Sequence, residues 1–256
     1  MNLIIFSHSD YSYLWEPIEE IVSNLGELNP IFVCNINNIT KPRGFHKYIE
    51  YDEKLCYSQR WLHILPQIES KHIIVVHDVC LIVSCNTDKI KSIIRTIDEN
   101  EIDRCSLNVF YGTNVINSEI PLCKLEQPIK ANTYIPFDLC PAIWNRESFI
   151  KLWTKFPNEN YRQSEQNPQL QNYCKTLKCY GLQKTENKLH FCIGRPYYDF
   201  FKILHITIQG LLLYPFEVYM DAYPEFVAIE NKYNLTSKIN VNMWYGHSFG
   251  GKNTLD

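Results

Sequence analysis

The stretch from Lys71 to Ser84, KHIIVVHDVCLIVS, places one carboxylate, Asp78, inside an otherwise apolar and β-branched run. A carboxylate at the end of a buried strand costs desolvation free energy unless a positive or hydrogen-bonding group meets it. A divalent cation bridging to phosphate oxygens is one such partner, because Mg²⁺ or Mn²⁺ bound in this way needs only one or two protein carboxylates. Capping of the following turn is the alternative. His77, next to Asp78, can face such a site or turn back into the sheet, while Cys80 is a soft ligand that suits Zn²⁺ or the core better. His205 lies in a second mainly apolar segment, FFKILHITIQG, where a lone histidine reads first as a core residue with a satisfied hydrogen bond.

These side chains need elements to position them. Asn2 to Phe6 is a short apolar run that ends in the polar loop SHSDYS, a buried strand followed by a turn. Leu14 to Leu25 repeats apolar residues at helical spacing, with Pro17 in its first turn, and Pro30 to Asn35 is a second strand. Strand, helix, strand opens a parallel sheet. Tyr57 to Ile68 reads as a helix kinked or ended by Pro66, and Ile73 to Val76 is continuously apolar, as expected of a central strand covered on both faces. Asp78 then falls at the carboxyl end of that strand, the side on which open α/β sheets bind ligands. The loop carrying Ser7, His8, Ser9, Asp10 and Tyr11 opens on the same side. Further on, Thr87 to Glu99 is a helix capped by Asn86 or Thr87, Leu107 to Tyr111 a strand, and Cys140 to Trp144 a strand or turn. Arg146 to Lys155 is a helix stopped by Pro157, Gln163 to Leu177 is helical in part, and GHSFGGKNTLD is a loose tail.

Composition narrows the function classes. At 45% hydrophobic and 21% charged residues, the chain buries a sizeable core and lacks the signature of disorder. A net charge of −3 without a basic cluster argues against nucleic acid as a partner. No apolar run approaches the ~18 to 20 residues of a membrane span, and the first residues have no basic region before their four apolar ones, so a cytoplasmic location is expected. Ten cysteines contain no C-x-x-C pair, so reduced buried thiols are expected rather than a zinc site or disulfides. No G-x-G-x-x-G, G-x-x-x-x-G-K-[ST] or G-x-S-x-G motif is present, which removes the main support for dehydrogenase, P-loop and serine-hydrolase readings.

The Lys71 to Ser84 segment resembles the strand and acidic motif of glycosyltransferases with the GT-A fold, in which aspartates hold a metal and the diphosphate of a sugar nucleotide. YSQRWLHILPQIESKHIIVVHD is similar to the helix and strand around that motif in a group of bacterial and viral surface-polysaccharide transferases. LCPAIWNRESFIKLW followed by FPNENYRQSEQ resembles that group's second region, and FFKILHITIQGLLLY its C-terminal block. The blocks run in the family's order from residue 57 to residue 214, with one departure: a single carboxylate stands where many relatives have two.

The resemblance implies an α/β, GT-A-like (Rossmann-like) fold, with a mostly parallel central sheet flanked by helices and a more irregular acceptor-binding second half. Residues 1–100 would be the nucleotide-sugar half, 101–231 the acceptor-binding and catalytic half, and 232–256 a tail. It implies transfer of a sugar from a nucleotide diphosphate donor to a carbohydrate acceptor hydroxyl, inverting and metal-assisted, in surface glycan synthesis in the cytoplasm, the host's where the source is viral. Asp78 and His205 would hold Mn²⁺ or Mg²⁺, and Glu165 would be the general base; its alternative is a first-turn helix acid. Ser7, Asp10 and Tyr11 would meet nucleobase and ribose, and Arg60 a phosphate or the base, unless it forms a surface ion pair. His77 would line the same site. Asp138 would meet sugar hydroxyls or make an ordinary turn, and Trp144 would wall a sugar ring or sit in the core. The rivals are a GT-A-fold module that binds nucleotide or carbohydrate without turnover, as a lone carboxylate suits, and a metal-dependent phosphodiesterase or nuclease, for which the acids and histidines are too scattered.

Overall fold

The computed structural model describes residues 1–36, 38–110, 115–116, 119–125, 137–184, 189–192, 195–198, 200–205, 207–208, 211–214, 223–238 and 244–245. Its elements, in chain order, begin with β1 (Asn2–Phe6), α1 (Trp15–Val22), β2 (Ile31–Asn35), β3 (Lys47–Tyr51), α2 (Tyr57–Ile64), β4 (His72–His77), β5 (Cys80–Cys85) and α3 (Thr87–Glu99). There follow β6 (Arg104–Phe110), β7 (Val115–Ile116), β8 (Leu122–Lys124), β9 (Ala142–Asn145), α4 (Arg146–Lys155), α5 (Tyr161–Gln166), α6 (Pro168–Cys174) and β10 (Cys179–Gln183). The chain continues with β11 (Leu189–Cys192), β12 (Arg195–Tyr198), β13 (Phe201–His205), β14 (Thr207–Ile208), β15 (Leu211–Tyr214), α7 (Tyr223–Tyr233), α8 (Leu235–Lys238) and β16 (Trp244–Tyr245).

Nine strands form one sheet in the order β3-β2-β1-β4-β9-β6-β10-β8-β7. The first four are mutually parallel, β9 runs antiparallel between β4 and β6, and β10 is parallel to β6. The chain builds outward from β1 through β2 to β3 and then returns to the other side of β1 with β4. The strand order therefore reverses between β1 and β4, and their carboxyl ends flank the crevice at which such sheets bind ligands.

Alternation along the central strands sorts their side chains onto two faces. Leu3, Ile5, Ile74 and Val76 pack in one core with Trp15 and Ile18 of α1 and Ile90 and Ile93 of α3. Ile4, Phe6, Ile73 and Val75 pack in the other with Trp61 of α2 and Phe149 and Trp153 of α4. Both faces are covered, which is why β1 and β4 are buried throughout and read as unbroken apolar runs.

Helices start and stop for local reasons. Asn86 accepts from the Lys89 amide at the head of α3, and Asn145 accepts from Glu147 and Ser148 at the head of α4. α2 ends at Ile64, two residues before Pro66, and a short 3₁₀ turn follows. α1 is shorter than its apolar spacing suggests, because 3₁₀ turns at Ser9–Leu14 and Ser23–Leu28 take up its flanks. The spacing also misses β3, an edge strand whose outward positions are polar.

The apolar run that resumes after Asp78 belongs to another sheet. Asp78 and Val79 reverse the chain, and β5 leaves the large sheet to pair antiparallel with β13. The described cysteines are free thiols, and burial pushes Cys105 and Cys174 up to about 12. The glycine-rich tail lies outside the described residues.

Trp61 is fully buried against Phe6, Tyr57 and Phe149, joining the end of β1 to two helices. Trp61→Ala is expected to lower unfolding stability by about 3 to 5 kcal/mol. Urea unfolding measures it; a loss below about 1 kcal/mol would show that these elements do not depend on the indole.

Candidate functional site

Asp78 follows β4 directly, and its amide still donates to the Phe6 carbonyl at 3.0 Å. That bond holds the carboxylate against the end of β1. Oδ2 accepts from Ser7 Oγ at 2.6 Å and from the His8 amide at 3.3 Å. Ser7 Oγ in turn accepts from the Trp15 indole N–H at 2.8 Å, and the Ser7 carbonyl accepts from the Tyr51 hydroxyl at 2.8 Å. Asp78 is 5% exposed, and burial raises its pKa from 3.8 to about 7 despite the Ser7 and His8 bonds that lower it.

A cavity of about 240 Å³ opens over this carboxylate, with Tyr11, Tyr51, Tyr57, Tyr161, Arg60 and His77 in its lining. It is large enough for one ring system with its substituents, and smaller than the usual pocket for a whole drug-sized ligand. Tyr51 stacks on Phe6 with centroids 5.3 Å apart, and the Arg60 guanidinium lies 4.6 Å above the Tyr51 ring. Arg60 is aimed by its own bonds to the Leu55 and Glu53 carbonyls. His8 Nε2 faces Glu53 at 3.1 Å, and Nδ1 accepts from the Asp10 amide at 3.2 Å.

The second half of the chain closes the cavity through α5. Tyr161 packs edge-on against Tyr57 and His77, at 5.1 and 5.0 Å. The residue is 38% exposed, but burial of its hydroxyl raises that group's pKa well above the ordinary value. The turn before α5 is tied to α2 by reciprocal bonds: the Ser58 amide donates to the Glu159 carbonyl, and the Glu159 amide to Ser58 Oγ. Glu165 Oε1 accepts from the Leu139 amide at 2.7 Å. Gln171 grips both the Phe137 amide and carbonyl and also donates to the Glu165 carbonyl. Burial lowers the His77 pKa to about 4, so its ring is neutral at pH 7.

Among the expected site residues, the fold therefore gathers Ser7, Tyr11, Arg60, His77 and Asp78 around one cavity. Glu165 lies just behind it, near enough to raise the pKa values of Tyr57 and Tyr161 by its charge. Three others stand elsewhere. Asp10 is 81% exposed and is not part of the lining. Asp138 is engaged by the buried Arg104 at 2.5 Å and accepts from the Cys140 amide, as its alternative reading as a turn residue expects. Trp144, 2% exposed in β9, packs 4.7 Å from Phe149 and is a core residue rather than a sugar wall.

Tyr51, Tyr57, Tyr161 and Gln171 were not singled out from sequence. Tyr51 was within reach: KYIEY alternates as a strand does, and the hydroxyl of its last residue reaches the Ser7 carbonyl. Tyr161 and Gln171 had no such signal, because their roles come from packing against α2 and the 137–140 loop.

A divalent cation held by protein groups alone, without bridging phosphate, needs more than this lining offers. Asp78 is its one carboxylate, and His77 Nε2 faces the Tyr57 hydroxyl at 3.0 Å. No group of three or more histidine, cysteine or acidic side chains suited to a metal occurs among the described residues. The backbone brings His205 into register with Cys80, two residues beyond Asp78, but its side chain is outside the description. The described donor set does not fit a resident Mn²⁺ or Mg²⁺.

The raised pKa of Asp78 has a stability consequence. Between pH 4 and 7 the native carboxyl keeps a proton that the unfolded chain has released, so its contribution falls as pH rises through that window and is flat above it. Asp78→Asn keeps an acceptor for Ser7 and removes the penalty. It is expected to be more stable than the native protein at pH 8, by up to about 4 kcal/mol, with the difference vanishing near pH 4. Urea unfolding across that range measures this, and parallel curves would show that the carboxyl is not strained.

No family model and no curated protein matches the sequence. Among solved structures, a cytidylyltransferase from Leptospira borgpetersenii is similar at 10% identity and TM-score 0.47, over 95% of this chain and 98% of its own. A CMP:2-keto-3-deoxy-manno-octonic acid synthetase complexed with CTP is similar at 10% identity and TM-score 0.44, over 72% and 90%. S. aureus TarS 1-349 is similar at 13% identity and TM-score 0.43, over 77% of this chain and 60% of that one. Likenesses this distant say nothing of substrate; the α/β architecture stands on the sheet order and the two covered faces described above.

Proposed function

We propose that the protein is a nucleotide-sugar-dependent glycosyltransferase, and that the cavity over Asp78 receives the nucleoside part of the donor. One observation carries this reading: a buried carboxylate, a guanidinium and four tyrosine rings converge on a ring-sized cavity where the strand order reverses. Planar bases stack well on tyrosine, a carboxylate accepts from base or ribose donors, and a guanidinium offers fixed donors to carbonyl or phosphate oxygens. Asp78 then serves recognition of the donor rather than ligation of a metal.

Glu165 is the proposed general base. It belongs to the half of the chain expected to meet the acceptor, and the Leu139 amide orients its carboxylate. A base placed on the face of the sugar opposite the leaving diphosphate takes the acceptor proton as the new bond forms, which gives inversion. The diphosphate carries the growing negative charge away, and Arg60 is the described cation in the cavity lining. The acceptor in this reading is a carbohydrate hydroxyl, as in surface glycan assembly, and residues 101–231 would bind it. A nucleotide-binding module without turnover is the second reading, favoured by the lone carboxylate.

Calorimetric titration with a panel of nucleotide diphosphate sugars, followed by turnover assays on a glycan acceptor panel, tests both. The native protein is expected to bind at least one donor, and Asp78→Ala to bind it at least about tenfold more weakly. Glu165→Gln keeps an acceptor for the Leu139 amide; it is expected to bind the donor normally and to lose about 10²- to 10⁴-fold in kcat. Binding of no donor rejects the proposal, binding without turnover leaves the module, and an active Glu165→Gln variant rejects the base.

A further inference from the structure

His8 belongs to the cavity lining, and its ring is held between two acidic residues from different segments. Nδ1 accepts from the Asp10 amide at 3.2 Å and lies 3.3 Å from the Asp10 carboxylate, while Nε2 lies 3.1 Å from Glu53 Oε1. Two protonation states suit these partners. In the neutral ring, Nδ1 takes the amide hydrogen and the ring proton sits on Nε2; in the imidazolium, both nitrogens donate to carboxylates. A neutral ring protonated on Nδ1 would instead set a lone pair against the Glu53 carboxylate. Nε2 is therefore a hydrogen-bond donor in either state. Glu53 is not part of the lining, so this donor points across the rim of the cavity.

Arg60, in the same lining, ends on the same residue: its Nη2 donates to the Glu53 carbonyl at 3.0 Å. Both donors thus meet oxygens of Glu53, one at the side chain and one at the backbone. The backbone is fixed. Asp52 closes the turn by accepting from the Lys54 amide at 2.9 Å and the Leu55 amide at 3.1 Å, and Arg60 Nε grips the Leu55 carbonyl. The carboxylate is not. Among the described residues His8 is its hydrogen-bond partner, its side chain is 63% exposed, and exposed pairs of this kind contribute little. Holding the Asp10 amide explains what Nδ1 does and leaves the direction of Nε2 without a structural purpose.

We propose that His8 is a phosphate-binding residue of the donor site, and that the Glu53 carboxylate holds the place of a phosphate oxygen until the ligand displaces it. The inference rests on the reading of the cavity as a nucleotide site and is independent of turnover and of Glu165. With a nucleoside over Asp78, the diphosphate passes the rim, Glu53 swings into solvent, and the His8 Nε2–H and the Arg60 guanidinium meet phosphate oxygens, which carry more charge than the carboxylate they replace. The turn backbone stays where it is. A free inorganic anion must displace Glu53 unaided, whereas a nucleotide does so with the help of its bound nucleoside, so the carboxylate also discriminates against phosphate and pyrophosphate alone.

Calorimetric titration of the full chain with inorganic pyrophosphate, with UDP, CDP, ADP and GDP, and with the parent nucleosides tests this. Glu53→Gln keeps an oxygen for His8 and removes the charge; it is expected to bind pyrophosphate and the preferred nucleoside diphosphate about three- to fivefold more tightly than the native protein. His8→Asn keeps a strong cap for the Asp10 amide but withdraws the donor from the rim. It is expected to bind that diphosphate at least about tenfold more weakly, and its nucleoside less than about threefold more weakly. In the His8→Asn background the gain from Glu53→Gln should fall to about half or less, because the place being held is gone. A Glu53→Gln variant no tighter than native, or a His8→Asn variant that weakens nucleoside and diphosphate equally, overturns the phosphate site and leaves the donor reading standing. Binding of neither pyrophosphate nor any nucleoside diphosphate, by the native protein and Glu53→Gln alike, overturns both. Tighter pyrophosphate binding by Glu53→Gln, lost again with His8→Asn, in a protein that binds no nucleotide sugar would support the phosphate site and sink the donor reading alone.

Discussion

The site depends on the burial of one carboxylate at a chain reversal. Asp78 sits where β4 ends and β5 departs for another sheet, and the Phe6 carbonyl holds its amide in line with the ladder. Its side chain then has one direction available, toward the end of β1. Removal from water raises the free energy of the ionised form, so the surrounding chain must supply donors. Ser7 and the His8 amide do so, and Ser7 is fixed in turn by Trp15 and Tyr51. The first loop, the first helix and the third strand are thereby set by a charge seventy residues downstream of the loop.

A second constraint joins the two halves of the chain. The 137–140 loop has Arg104, Gln171 and Glu165 as partners. Arg104 is almost wholly buried, so its ion pair with Asp138 is weak evidence of net stability; breaking the pair would leave a bare charge in the core and cost more than the pair contributes. That asymmetry ties Asp138 to the core through its Oδ1.

Much of the architecture was legible in the sequence. Asn2 to Phe6, Thr87 to Glu99 and Arg146 to Lys155 have the ends expected from their apolar patterns and caps. Ile73 to Val76 is central, as its unbroken apolar character required, although the observed strand extends one residue further at each end. β3 escaped because an edge strand shows polar residues outward and resembles a loop in composition. Within the site, Ser7, Arg60, His77 and Asp78 were marked by their positions at strand ends or on the preceding helix, and they do line one cavity. Asp10, Asp138 and Trp144 were marked by the same local logic and stand outside it.

Sequence by itself determined the central strands β1, β2 and β4, that the sheet is covered on both faces, and that Asp78 lies at a strand's carboxyl end, because these follow from apolar periodicity and the desolvation cost of charge. Only tertiary structure decided what surrounds that carboxylate. Tyr51, Tyr57 and Tyr161 come from three separate elements of the chain, and their approach depends on strand order and helix docking, which no local pattern encodes. Whether an acid is bound by an arginine, as at Asp138, or by a backbone amide beside a cavity, as at Glu165, is likewise settled by which groups long-range packing brings within hydrogen-bond reach.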